Sequence, residues 1–93
     1  MDKVERKRRL ADELDQWCRK GYGSLLEELR DVVAYESGDA SNRYQVEVQL
    51  LERTPKYVHV SLSLNDGGWR SFVPLSTSFL VYRDGRVERP KIK

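Results

Sequence analysis

The sequence predicts an α+β domain in which two N-terminal helices pack on one face of a three-to-five-stranded antiparallel β-meander. Three observations carry this expectation. Apolar side chains recur at three- and four-residue spacing up to Val33, strict alternation of apolar and polar residues follows from Arg43 to Leu64, and short turn signals punctuate the rest of the chain. At 93 residues the chain is expected to be one domain, residues 1–93. Within it we expect a charged helix start over 1–9, a helical layer over 10–36, a sheet over 43–88 and a mobile basic tail over 89–93.

The first helix is expected over residues 2–20. Leu10, Leu14, Trp17 and Cys18 form its apolar stripe, and Arg6, Lys7, Arg8 and Arg9 dilute that stripe before Leu10. Gly21-Tyr22-Gly23 breaks the helix. Ser24 followed three residues later by Glu27 reads as a capping box, so a second helix should open there. Its stripe would be Leu25, Leu26, Leu29, Val32 and Val33, and the turn-rich Gly38-Asp39-Ala40-Ser41-Asn42 would end the helical half.

Arg43 to Leu64 reads as a hairpin. Tyr44, Val46, Val48 and Leu50 share one face of the first strand, and Val58, Val60, Leu62 and Leu64 one face of the second. Pairing Glu52 with Lys56 across a three-residue loop would set Leu50 opposite Val58, Val48 opposite Val60, Val46 opposite Leu62 and Tyr44 opposite Leu64. Asn65-Asp66-Gly67-Gly68 is a second turn signal, and a strand from Trp69 to Val73 should follow. A two-residue turn there points Trp69 inward; a three-residue turn buries Phe72 instead. The Asp-Gly pair favours the first. Pro74 interrupts that strand. Phe79 to Arg83 gives a fourth strand, and Arg86 to Glu88 a short fifth beyond Asp84-Gly85.

The 17 basic and 15 acidic residues leave a formal net charge of +2, too little for a global attraction to nucleic acid or membrane. The charge is uneven: residues 1–20 and 54–93 are net basic and residues 21–53 net acidic. One cysteine, Cys18, excludes an internal disulfide and a cysteine-based zinc site. With no apolar run long enough to span a bilayer and a highly charged N-terminus, the expected location is the cytoplasm.

Candidate chemistry is sparse. His59 is the only histidine, and alternation places it away from the core, across from Gln49 and near Ser61 and Glu47. A serine–histidine–glutamate reading lacks a strained nucleophile turn and an oxyanion hole. The carboxylates Asp12, Glu13, Asp15, Glu27 and Glu28 read as solvated helix faces, and no phosphate-binding glycine fingerprint is present. The basic run at Arg6 to Arg9 has acidic neighbours at helical spacing, which weakens a phosphate- or lipid-binding reading. Cys18 has no acid–base partner nearby in sequence and reads as core.

The second sheet face therefore carries the functional expectation. It should hold Gln45, Glu47, Gln49, Leu51, Tyr57, His59, Ser61, Ser63, Arg70 and Phe72, with Tyr82 a further candidate. Such a mixture suits a protein–protein surface. The expectation is a non-enzymatic module without a cofactor that binds a protein partner or self-associates, using Tyr57, His59, Arg70 and Phe72. The alternative is single-stranded nucleic-acid binding through the same aromatic and basic side chains. A small enzyme built on His59 ranks third.

Overall fold

The computed structural model describes residues 3–38, 40, 43–65 and 75–90. Two helices precede a five-stranded antiparallel sheet in the expected α+β order: α1 (Lys3–Cys18), α2 (Tyr22–Glu28), β1 (Val33–Gly38), β2 (Arg43–Arg53), β3 (Tyr57–Asn65), β4 (Leu75–Tyr82) and β5 (Val87–Glu88). The strands are arranged in sequence order, β1-β2-β3-β4-β5.

α1 buries Leu10, Leu14, Trp17 and Cys18, the stripe its spacing predicts. Near its N-terminus Glu5 accepts from Arg8 at 2.7 Å and from Arg9 at 2.9 Å. The last turn tightens: the Lys20 N–H donates to Trp17 O at 3.1 Å, the shorter i→i+3 connection common at helix ends. Gly21 is extended and α2 begins at Tyr22, two residues before Ser24. Ser24 therefore lies inside the first turn, and the expected capping box does not form. The helix start is held from outside instead, by Tyr22 Oη donating to Thr54 O at 2.5 Å on the β2–β3 turn.

The second correction lies at residues 29–38. The chain leaves the helix at Leu29, and Val33 to Gly38 form strand β1 where the helical layer was expected to continue to 36. Val33 and Tyr35 face Val48 and Val46 across the ladder. Residues 32–35, Val-Val-Ala-Tyr, fit both an amphipathic helix end and an alternating strand. β-Branched and aromatic side chains pack well on a pleated surface, and the open flank of β2 decides between the two. Gly38 ends the strand at φ 95°, a conformation that disfavours any residue with a Cβ.

The central hairpin keeps its predicted facing but not its register. Val46 pairs with Leu64, Val48 with Leu62 and Leu50 with Val60, two residues away from the expected alignment. An even shift leaves every apolar side chain on the core side. The cause is the turn, where Thr54 and Tyr57 close around Pro55-Lys56. Thr54 Oγ1 accepts from the Lys56 and Tyr57 N–H groups at 3.1 and 3.0 Å, and the Thr54 N–H donates to Tyr57 O at 2.8 Å. The extra residue is absorbed by a bulge at Leu51, after which Glu52 pairs with His59 and Arg53 with Val58.

β4 starts at Leu75, earlier than the predicted Phe79, and ends at Tyr82. β5 spans two residues of the expected three. The predicted strand Trp69–Val73, the choice between Trp69 and Phe72, and the interruption at Pro74 lie outside the described residues. So do Arg70 and Phe72. Arg89, expected in a mobile tail, pairs with Asp15 of α1 at 3.2 Å.

Both helices cover the face carrying Val46, Val48, Val60 and Leu62, as expected. Leu10, Leu14, Trp17, Leu25 and Leu29 meet these and Val58, Leu64, Phe79 and Val81 in one apolar cluster. Full burial of each such side chain contributes roughly 1.5–3 kcal/mol. No helix among the described residues is long and apolar enough to cross a membrane.

Candidate interaction face

The strands turn their other side away from the helices. β3 places Tyr57, His59, Ser61, Ser63 and Asn65 there, half-buried in each case, while Val58, Val60, Leu62 and Leu64 are buried. The ladder brings Tyr57 opposite Tyr82, His59 opposite Leu80, Ser61 opposite Ser78 and Ser63 opposite Ser76. On the β2 side, Glu52 lies opposite His59, Gln49 opposite Ser61 and Glu47 opposite Ser63. Two pairings read from sequence are thereby corrected: the even shift moves Ser61 from Glu47 to Gln49, and that shift together with the bulge at Leu51 moves His59 from Gln49 to Glu52.

The face has two textures. Four serines at the centre leave a low strip. At one end Tyr57 and Tyr82 meet with ring centroids 5.7 Å apart at 53°. Leu80 extends this apolar end, and Leu51, 53% exposed, stands on the bulge of the neighbouring strand. Each tyrosine hydroxyl donates to a carboxylate: Tyr57 Oη to Glu52, and Tyr82 Oη to Glu88 at 2.9 Å. Accepting carboxylates favour the protonated phenol, and with some desolvation they raise the pKa of both tyrosines. The Arg86 guanidinium covers the Tyr82 ring, its carbon 4.2 Å from the centroid, while pairing with Asp84 at 3.3 Å.

Among the described residues, carboxylates outnumber cations on the strand positions of this face. Glu36, Glu47, Glu52 and Glu88 are present against Arg43, which lies 3.7 Å from Glu36. Among the described residues His59 makes no side-chain hydrogen bond to a carboxylate or serine, and no group of three His, Cys, Asp or Glu side chains is placed to hold a metal ion. Of the four contact residues expected from sequence, Tyr57 and His59 share this face; Arg70 and Phe72 are outside the described residues. Leu80, Glu52 and Glu88 were missed. Leu80 was legible, since the alternation of Phe79 and Val81 inward sends Leu80 and Tyr82 outward.

A second polar cluster lies on the opposite, buried side. Trp17 Nε1 donates to Tyr35 Oη at 2.9 Å, Tyr35 Oη donates to Glu13 Oε2 at 2.8 Å, and Tyr44 Oη donates to Glu13 Oε1 at 3.4 Å. Glu13, read from sequence as a solvated helix residue, is 3% exposed. Burial, and to a smaller extent Glu13, push the Tyr35 phenol up to about 12 despite the opposing Trp17 donor. With every partner inside the fold, this cluster ties α1 to β1 and β2. Cys18 lies nearby, and burial pushes its thiol up, away from the reactive thiolate.

No family model, curated protein or solved structure matches the chain.

Proposed function

We propose that this chain is a non-enzymatic binding module whose open sheet face docks a protein partner presenting cationic side chains around an apolar centre. The supporting observation is the Tyr57–Tyr82–Leu80 patch rimmed by Glu52 and Glu88. Aromatic side chains bury large areas at small entropic cost, which suits them to be anchors. Carboxylates already fixed by the tyrosine hydroxyls present an oriented negative rim to Arg or Lys. The same carboxylates oppose phosphate, which weighs against single-stranded nucleic acid. They also place acid against acid in a two-fold face-to-face pair, which weighs against a second copy.

Capture from native lysate with the wild-type chain and a Tyr57→Ser/Tyr82→Ser variant, followed by titration of the purified captured protein into isotopically labelled chain, tests the reading. The expected result is a protein retained by wild type alone, perturbing Tyr57, His59, Leu80 and Tyr82 and binding more weakly as salt rises. Retention independent of the two tyrosines would overturn the proposal. So would binding of single-stranded RNA at low salt through the same residues, or a concentration-dependent dimer abolished by the same variant.

A further inference from the structure

The edge of the sheet on the β1 side carries a different feature. β2 runs from Arg43 to Arg53, but β1 pairs with it only from Arg43 to Val48. Among the described residues, the outer side of residues 49–53 has no strand partner. The segment between α2 and β1 passes this edge without joining the ladder and leaves a groove of about 450 Å³. Leu29 to Val32 wall one side of it, and Gln49, Leu50 and Arg53 the other.

We propose that this groove binds an extended acidic peptide segment of another protein, added as a short strand to the edge of β2. Three observations converge on that occupant. An unpaired strand edge offers alternating N–H and C=O groups whose natural partner is another extended backbone. Apolar surface is available beside it: Val32 is 51% exposed, Leu50 is half-buried, and Leu29 is buried behind them. Arg30 and Arg53 both border the groove, against one acid, Asp31, and neither forms an ion pair among the described residues.

Charge also selects against a second copy as the occupant. The opposite edge strand, β5, is two residues long and is flanked by Arg86 and Arg89, which Arg30 and Arg53 would repel. β1 is already engaged with β2. The groove lies at the sheet's edge and not on the open face, so this inference does not depend on the function proposed above.

The test uses the whole chain and a defined probe, the capped peptide acetyl-Glu-Val-Glu-Val-Glu-amide, followed by amide chemical shifts and calorimetry. Saturable shifts confined to residues 30–32 and 49–53 are expected. Arg30→Glu combined with Arg53→Glu should weaken binding about tenfold or more, with the thermal melt unchanged because both sites are exposed. A probe with Lys in place of Glu should not bind, and N-methylation of alternate peptide nitrogens should abolish binding through loss of the backbone bonds. Absence of saturable shifts would overturn the proposal, as would equal binding of the Lys or N-methylated probe, or shifts at Tyr57 and Tyr82 instead. Self-association lost in the double variant would also overturn it, by assigning the groove to a second copy.

Discussion

Tyr35 Oη accepts a hydrogen bond from Trp17 Nε1–H and donates one to Glu13, so a single hydroxyl joins the end of α1 to β1. Removing it leaves a donor and part of a buried carboxylate without their partner. Tyr35→Phe should therefore cost about 1–3 kcal/mol, the penalty for unsatisfied buried groups. In a domain of this size each kcal/mol lowers the melting temperature by roughly 4–8 °C. Urea and thermal denaturation would check this, and a change no larger than that of a typical surface substitution would refute it. The same hydroxyl gives the domain an alkaline limit. Unfolded tyrosine ionises near pH ~10, whereas Tyr35 in the fold holds its proton to about 12. Between those values the native state binds more protons than the unfolded state, so stability falls as pH rises through that window and is fully present below it. Tyr57 and Tyr82, also raised, add to the slope in the same direction. Urea midpoints taken across this range should decline less steeply in Tyr35→Phe than in wild type. The acceptor in this cluster was legible in part: Glu13 lies three residues after Leu10 and four before Trp17, on the apolar stripe of α1, whereas Asp12 and Asp15 lie off it. Its partners could not be read, because the two tyrosines are more than twenty residues away.

The elements divide by whether local pattern or distant pairing determines them. α1, the faces of β2 and β3, and the position of β5 could be read directly, since each rests on a periodicity or a turn dipeptide. β1 could not, because Val32 and Val33 satisfy both helical and strand spacing and only the exposed flank of β2 resolves the choice. Register was likewise illegible. Facing depends on parity, which alternation reveals, but alignment depends on Thr54 capping a two-residue turn and on the bulge that follows. That bulge yields an unusual expectation. With Leu51 deleted, Leu50 still meets Val60, Glu52 still meets His59 and Arg53 still meets Val58, now in a regular ladder. The single-residue deletion should keep the fold and shift the thermal midpoint little. Deleting Glu47 instead changes parity over a length of the strand and drives Gln49 or Gln45 into the core. Far-UV circular dichroism and amide spectra of the two deletions would separate them; an unfolded Leu51 deletion would contradict the assigned register.

At the scale of the whole molecule, one sheet presents two different faces, and parity in β3 and β4 separates them. Val58, Val60, Leu62, Phe79 and Val81 close the core beneath the helices, whereas Tyr57, His59, Leu80 and Tyr82 face outward from the same strands. A domain of 93 residues has a total stability of roughly 5–14 kcal/mol. Phe79, 2% exposed and opposite Val60, sits in the middle of the covered face. Phe79→Ala should cost about 3–5 kcal/mol through lost burial and the cavity left behind, a large part of that total. Tyr57→Ser with Tyr82→Ser removes comparable aromatic surface from the adjoining residues but opens no cavity, since both rings already contact solvent on one side. The expected outcome is a large fall in the urea midpoint for Phe79→Ala and a midpoint near wild type for the tyrosine pair, in the same buffer and by the same probe. If the tyrosine pair destabilised the domain as severely as Phe79→Ala, the outer face would be a second core, and its aromatic patch would owe its presence to folding rather than to a partner.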